Sequence, residues 1–316
     1  MRIFKFFKIE KKINSSLQSQ DAIEKISYNL LKDSKCLGIF PTPVENIVQY
    51  ANLKIDQGND LSKIEESFID NLKYRTKGQI QNLLSGLSKI KGIFFREDNL
   101  IYVDLKDKTN RKNFVALHEL GHGILPWQNE LSLALDNKSS LSMDVEEQFE
   151  LEANLFASAT LFQHERFNRE LEKLPLSIKS GMALAKKFGS SNHAALRNYV
   201  LKSRNRCGMI VLDKIPEPKW NKPFCSLRNL FYSNSFLQDI GELSIPEAFG
   251  YKWGFAQDFK HKRRLHEAGE IEFTNIVGDT INCKYHYFFN YYNAFVFFFP
   301  ADEKKKSKTK IILKNV

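Results

Sequence analysis

Residues 114–127 read FVALHELGHGILPW, and this stretch decides how the rest of the chain is interpreted. It is apolar or small almost throughout, yet it contains two histidines and a glutamate. Burying such polar groups costs free energy unless a partner satisfies them. The sequence therefore raises the question of which partner two histidines and a carboxylate would share.

The stretch is predicted to be a helix that begins close to residue 109. Thr109 or Asn110 is a suitable N-cap, because a short polar side chain can accept a hydrogen bond from the first turn. Pro126 disfavours helical backbone at the residue before it, so the helix should end at about Leu125.

His118 and His122 stand four residues apart and therefore project side by side from one face of this helix. Two imidazoles at that spacing can both bind one zinc ion at about 2.0–2.1 Å. Glu119 is offset by one residue, which directs it toward a metal-bound water and makes it the predicted catalytic base. The pattern HExxH thus predicts a zinc-dependent peptidase.

A third zinc ligand is predicted on the next helix, DVEEQFELEANLFASATLF, which should begin near Asp144. Glu150 and Asn154 share one helix face, so that Glu150 would bind zinc while Asn154 orients a histidine. Glu152 lies about 200° around the helix from Glu150 and cannot serve the same site. The weaker candidates, which also fit a solvated helix face, are Glu146, Glu147 and Glu152.

Composition indicates a globular protein without a membrane anchor. Hydrophobic residues make up 42% and charged residues 27%, and no apolar run reaches the length of a membrane span. The net charge of +10 lies partly at the two ends, where solvated tails are expected. We find no signal peptide. The scattered cysteines are predicted to be reduced and buried in a cytoplasmic protein: Cys36, Cys207, Cys225 and Cys283.

Other segments give a coarse outline of the fold. Apolar residues at 44, 47, 48 and 51 have helical spacing, and residues 60–87 predict further amphipathic helix. Runs at 93–95 and 100–103 predict a hairpin. Residues 181–203 resemble a helix–turn–helix, with Gly189–Ser191 as the turn. Beyond residue 205 the chain is rich in aromatic residues and short strands.

The chain resembles the ImmA/IrrE family of zinc metallopeptidases. The resemblance rests on PTPVENIVQYANLKI, GIFFREDNLIYVD, NFVALHELGH and FELEANLFASATLF, and covers roughly residues 38–200. It implies a zincin-like α+β fold, zinc ligands at His118, His122 and Glu150, and Glu119 as base. It also implies cleavage of a transcriptional repressor. One departure is Gln163, where the family often has proline after the ligand helix.

The predicted fold class is α+β, with a small sheet beside the HExxH helix. The expected domains are a helical extension at 1–37, a peptidase domain at 38–204 and a smaller mixed or β-rich region at 206–316. The alternative function is a DNA-binding or partner-binding regulator with a structural zinc site. DNA binding is not favoured, because the second helix of the 181–203 segment carries few basic residues before Lys202.

The remaining candidates are predicted to have no part in catalysis. His164 is a possible oxyanion donor, but a surface histidine is the preferred interpretation, and Tyr102 is a candidate for facing the cleft. Residues 259–269 predict a solvated basic helix. The histidines assigned to turns or surfaces are His193, His261, His266 and His286.

Overall fold

The computed structural model describes residues 17–56, 92–95, 100–103, 109–128, 143–215 and 223–304. For residues 17–19, 56, 92–95, 100, 102–103, 109 and 143–147 the description covers the backbone alone. The chain forms two compact units, each of which takes two segments of sequence. The first unit contains Met1–Phe167 and Lys186–Ser191, and the second contains Asn168–Ala185 and Asn192–Val316.

In the first unit, the described residues include helices and a three-stranded sheet. The sheet order is β1-β3-β2, with β1 parallel and β2 antiparallel to β3, so that the predicted hairpin is confirmed. The described elements are α1 (Leu17–Asp33), α2 (Val44–Tyr50), β1 (Lys54–Asp56), β2 (Gly92–Phe95), β3 (Leu100–Val103), α3 (Thr109–Ile124) and α4 (Met143–Phe162). The helix predicted at 60–87 lies outside the described residues.

The core of the first unit lies between α1, α2, α3 and α4. Val44, Ile47 and Val48 are buried, as their helical spacing predicts. Helix α1 also contributes to this core through apolar side chains such as Leu31, and Ser27 Oγ lies 2.8 Å from Thr160 Oγ1 of α4. Residues 17–33 therefore pack within the first unit.

The two ligand helices begin slightly earlier than their predicted caps. Helix α3 begins at Thr109, so both Thr109 and Asn110 lie within it, and its end at Ile124 agrees with the position of Pro126. Helix α4 begins at Met143, which places Asp144 inside the first turn. Both helices are confirmed, and their starts differ from the predicted caps by about one residue, which is within the usual uncertainty of helix ends.

Gln163 provides a well-defined exit from α4. Gln163 and His164 both have positive φ, of 51° and 55°, which turns the chain sharply. The buried amide of Gln163 accepts a hydrogen bond from Gly38 N at 2.7 Å and donates to Ile39 O at 2.8 Å. It therefore holds the 38–42 loop against α4, a function that proline could not provide.

The second unit is built around a six-stranded antiparallel half-barrel in the order β6-β5-β4-β9-β8-β7. This confirms the predicted β-rich C-terminal region. The division between units falls within two helices, Glu165–Glu172 and Ile178–Phe188. The described elements are α5 (Glu165–Glu172), α6 (Ile178–Phe188), α7 (Asn192–Leu201), β4 (Gly208–Lys214), β5 (Cys225–Tyr232), α8 (Asn234–Asp239), β6 (Ala248–Phe249), α9 (Gly254–Lys260), β7 (Leu265–Thr274), β8 (Thr280–Phe289) and β9 (Ala294–Pro300).

Both faces of this sheet are covered, because every residue of β9 is buried. Val296 and Phe298 belong to an aromatic core that includes side chains of α8 and α9. Phe297 faces the opposite way and packs against Tyr199 of α7, with ring centroids 5.5 Å apart. A continuous apolar run such as AFVFFF is typical of a strand buried on two faces.

The segment at 181–203 contains two helices, but a helix–turn–helix arrangement is not confirmed. Four residues of α7 are buried, and Tyr199 and Val200 are among them. The guanidinium of Arg197, the exposed basic residue of α7, lies over the ring of Phe231 at 5.4 Å.

The division between units differs from the boundary predicted near residue 205. Residues 186–191 return to the first unit, where Phe188 packs on Phe162 and Ser190 O accepts a hydrogen bond from Asn110 Nδ2 at 2.9 Å. Helix α7 instead belongs to the second unit. Separation of the chain near residue 205 stays a prediction. Among the described residues, no helix combines the length and apolar character that a membrane crossing requires.

Candidate metal centre

Three predicted ligands meet where α3 and α4 pack together. His118 Nε2 lies 3.2 Å from His122 Nε2. Glu150 places one carboxylate oxygen 3.3 Å from His118 Nε2 and the other 3.3 Å from His122 Nε2. The donor atoms of all three residues fall within 4.8 Å of one another.

These separations fit a tetrahedral zinc site. Ligand bonds of about 2.0–2.1 Å place neighbouring ligand atoms of a tetrahedron about 3.3–3.4 Å apart, and the observed separations are 3.2–3.3 Å. The side chains of His118, His122 and Glu150 are 15%, 21% and 61% exposed. Three ligands with an open side are typical of catalytic zinc, whereas structural sites are closed by four.

Glu150 and His122 shift each other's pKa in opposite directions. Hydrogen bonds from His118 and His122 hold the pKa of Glu150 well below its usual range. Burial lowers the pKa of His122, but hydrogen bonds to Glu150 and Gln128 and the charges of Glu150 and Glu119 raise it by more, so that the net shift is upward. The Glu150 carboxylate is therefore ionised, as a metal ligand must be, whereas a metal at His122 would have to compete with a proton.

Glu119 lies on α3 next to His118, as HExxH requires. Its carboxylate is close enough to raise the pKa of His122, and its side chain is half-buried. A carboxylate this close to a ligand histidine is a candidate proton acceptor.

A hydrogen-bonded chain behind His122 was not predicted. Gln128 Oε1 lies 2.9 Å from His122 Nδ1. The amide nitrogen of Gln128 donates to Glu152 Oε2 at 2.9 Å and to Phe149 O at 3.2 Å. Since both of these partners are acceptors, the amide orientation is fixed, and Oε1 must accept from Nδ1–H of His122. This tautomer leaves the Nε2 lone pair of His122 for a metal.

Glu152 anchors this chain. It is 7% exposed and accepts hydrogen bonds from Trp127 Nε1 at 2.7 Å and from Gln148 Nε2 at 2.9 Å. Glu152 is therefore not on a solvated helix face, although the prediction that it cannot bind the metal agrees with its position. Its neighbours gave a signal, because Phe149 and Phe156 share its helix face and indicate burial.

Gly121 allows the two ligand helices to approach closely. A β-carbon at this position would lie 3.2 Å from the Ala153 α-carbon and 3.1 Å from Phe156 Cδ1. Contacts this short require the neighbouring helix to move. The glycine in HELGH thus sets the distance between His118 and His122 on α3 and Glu150 on α4.

Asn154 is positioned differently from the predicted role. Its side-chain amide is exposed and donates to the backbone oxygen of Glu150 at 2.8 Å, and Gln128 is the residue that bonds His122. The side chains of Glu146, Glu147 and Tyr102 lie outside the described residues.

The remaining histidines lie in structural surroundings. His164 Nε2 is 3.0 Å from Ser27 Oγ, so His164 is a packing residue more than a surface one. His193 packs against Phe295, where burial first, and the charges of Arg228 and Arg197 next, lower its pKa to about 4. The others are placed as follows: His261 in the turn after α9, His266 on β7 bonded to Asp258, and His286 buried on β8.

Residues 79–198 match the IrrE N-terminal-like domain of the peptidase M78 family. This part of the chain belongs to the ImmA/IrrE family. The matched range includes both ligand helices of the M78 domain. No curated protein matches the chain. A solved structure described as a Mycobacterium tuberculosis transcriptional regulator is similar over 93% of this chain and 92% of that chain, with 13% identity and a TM-score of 0.50. At this identity the likeness concerns the fold alone.

Proposed function

We propose that the chain is a zinc-dependent endopeptidase that cleaves a regulatory protein. The observation that carries the proposal is the open triad of His118, His122 and Glu150, whose spacing fits zinc and which lies in an M78 domain. A purely structural site would need neither the open side nor a carboxylate at Glu119.

Bound zinc would polarise the scissile carbonyl and lower the pKa of a water molecule. Glu119 would accept the proton of that water and return it to the leaving amine. The hydrogen bond to Gln128 would hold His122 in the tautomer whose Nε2 lone pair is free for the metal. The same bond would also restrict rotation of the imidazole ring. Glu150, which is the most exposed of the three ligands, leaves the site accessible to a polypeptide.

The proposed substrate is a transcriptional repressor, as the resemblance to the ImmA/IrrE family implies. The four free cysteines are consistent with the reducing cytoplasm in which such a repressor acts.

Two variants separate catalysis from metal binding. Glu119→Gln should retain about one zinc per chain yet lose cleavage, because an amide cannot accept the proton. Glu150→Gln should lose both, since the neutral amide is a poorer ligand. Zinc is measured by elemental analysis, and cleavage by incubation with a repressor encoded beside this chain. Glu165→Gln, an exposed change on α5, is the matched control.

Cleavage by Glu119→Gln at the wild-type rate would show that this mechanism is wrong. Undiminished zinc in His118→Ala would show that the metal lies elsewhere. Zinc binding without cleavage by the wild-type chain would favour the partner-binding alternative, in which the site is structural.

A further inference from the structure

One end of the second unit carries exposed tyrosines among exposed cations. We call this set the basic aromatic surface, and define it as Tyr251, Lys260, Lys262, Arg264, Tyr291 and Tyr292. The segment that supplies the cations was predicted to be one solvated helix. In the structure α9 ends at Lys260, residues 261–264 form a turn, and β7 begins at Leu265.

The surface is continuous because its two halves share buried rings. Lys260 Nζ lies over the Tyr251 ring at 4.3 Å, and Arg264 lies over the Tyr291 ring at 4.4 Å. Between them, Phe259 of α9 packs on Phe289 of β8 at 5.6 Å, and Phe289 packs on Tyr291 at 5.8 Å. Two exposed cation–ring pairs are therefore linked through the buried Phe259–Phe289 contact.

The rings are held outward by their turn. Tyr291 and Tyr292 are 72% and 70% exposed, an uncommon state for two adjacent aromatic side chains. Asn290 Oδ1 accepts hydrogen bonds from Tyr292 N at 2.9 Å and Asn293 N at 2.8 Å. Tyr291 itself has a positive φ of 74°, which is unfavourable for a bulky residue and is maintained by the surrounding turn.

The positive charge of the surface is not neutralised by the acids that contact its neighbours. Asp258, whose side chain is 9% exposed, is already paired with Arg263 at 2.9 Å and His266 at 2.8 Å. Asp213 pairs with Arg228 at 3.1 Å and accepts a hydrogen bond from Asn293 at 2.6 Å. Lys260 donates a hydrogen bond to the Tyr251 hydroxyl. Within the described part of the chain, no carboxylate forms a salt bridge with Lys260, Lys262 or Arg264, and all three residues are exposed.

We propose that the basic aromatic surface binds single-stranded nucleic acid. Cations that follow a phosphate backbone, interleaved with flat rings on which unpaired bases stack, are the features of such sites. Duplex DNA would leave the rings without a partner, because its bases are already stacked. An anionic membrane would attract the same cations, so vesicle binding is the competing outcome of the test.

Binding is tested with the full chain by fluorescence anisotropy. The two labelled probes are an oligothymidylate of about 15 nucleotides and a DNA duplex of the same length. The wild-type chain should bind the single strand more tightly. Tyr291→Ala/Tyr292→Ala should weaken that binding about tenfold or more, since each stacked base contributes substantially. The plot of log affinity against log salt concentration has a negative slope. In Lys260→Gln/Lys262→Gln/Arg264→Gln the magnitude of this slope should decrease by about 2.

A charge-matched control separates this surface from the general basicity of the chain. Lys202→Gln/Lys284→Gln/Lys304→Gln removes the same charge from exposed positions of the second unit outside the surface. It should keep most of the affinity, and circular dichroism should show all variants folded. The proposal would be overturned if the two triple variants lost equal affinity for the oligothymidylate, or if the wild-type chain bound the duplex equally well. Absence of oligothymidylate binding at low salt would also overturn it. Binding to phosphatidylserine vesicles in place of the oligonucleotide would do so too.

Discussion

His122 Nδ1 lies 2.9 Å from Gln128 Oε1, and this pair is the first link of a chain that ends at the buried carboxylate of Glu152. The link fixes which nitrogen of the imidazole faces the ligand cluster. The metal centre is thus defined by residues on both sides of the ligand ring.

Removing this link should weaken metal binding without removing a ligand. In Gln128→Leu, His122 loses the acceptor of its Nδ1–H, and zinc affinity should fall about 10- to 100-fold. Affinity is measured by competition with a chromophoric chelator. Gln148→Leu is the matched control, because Gln148 also bonds Glu152 but does not touch His122. Nitrogen chemical shifts of His122 should show a mixed tautomer in Gln128→Leu, and an unchanged shift would contradict the assignment.

Gly121→Ala should separate the ligand helices. Its β-carbon would meet the Ala153 backbone and the Phe156 ring at 3.2 and 3.1 Å, so that α4 must move by a few tenths of an ångström. We expect a loss of about 1–3 kcal/mol in the free energy of unfolding, together with weaker zinc binding. In Gly121→Ala/Phe156→Leu, recovery should be partial, because the backbone contact remains. Full wild-type zinc affinity in the single variant would contradict this account.

The pKa of His193 predicts a pH-dependent contribution to stability. Because its folded pKa is about 4, below the ordinary 6.5, the unfolded chain binds more protons between these values. The contribution of His193 to the free energy of unfolding is fully present above pH 6.5. It is lost as the pH falls, and near pH 4 the loss is roughly 3 kcal/mol. Denaturant unfolding of His193→Phe should show a flatter profile over this range. His261→Phe, at an exposed turn position, should keep the wild-type slope.

The four cysteines should be unreactive in the native protein. All are buried and free, and burial raises the pKa of Cys207 and Cys225 to about 12. Since the thiolate is the reactive form, a thiol reagent at pH 8 should label almost none of them. In denaturant, all four should react. Rapid native labelling of any one would show that its surroundings open more readily than the structure indicates.

Truncation should distinguish two possible ends of the first unit. A fragment ending near residue 205 keeps the metal ligands and residues 186–191, and it should retain zinc. A fragment ending at residue 167 loses Phe188 and the acceptor of Asn110, so that it should be less stable. Thermal unfolding and zinc content of both fragments test this. Equal stability of the two would show that 186–191 contributes little.

The sequence predicted that His118, His122 and Glu150 would come together, and in the structure their donor atoms are neighbours. The pairing of the two histidines follows from the period of 3.6 residues. The choice of Glu150 relied on its pairing with Asn154, whose side chain bonds the Glu150 backbone instead. Gln128 could not be found in the same way, because α3 ends at Ile124 and the helical residues 126–128 follow a break at Leu125, so the periodicity of α3 does not extend to Gln128.

The division into units was also beyond local patterns. The return of residues 186–191 depends on Phe188 meeting rings that are distant in sequence, such as Phe40 and Phe162. Conversely, β9 was predictable, since a continuous apolar run of this length is typical of a strand that is buried on both faces.

The bonds of Gln128 to Glu152 and Phe149 have a consequence for how this protein tolerates change. They fasten the chain as it leaves α3 to the helix that it enters again after residues 129–142. Hydrogen bonds therefore join the residue that precedes this connection to the helix that follows it. Insertions or deletions within 129–142 should cost little closure entropy and leave the ligands in register. An inserted affinity tag should therefore be tolerated there without a change in zinc binding by the proposed ligands.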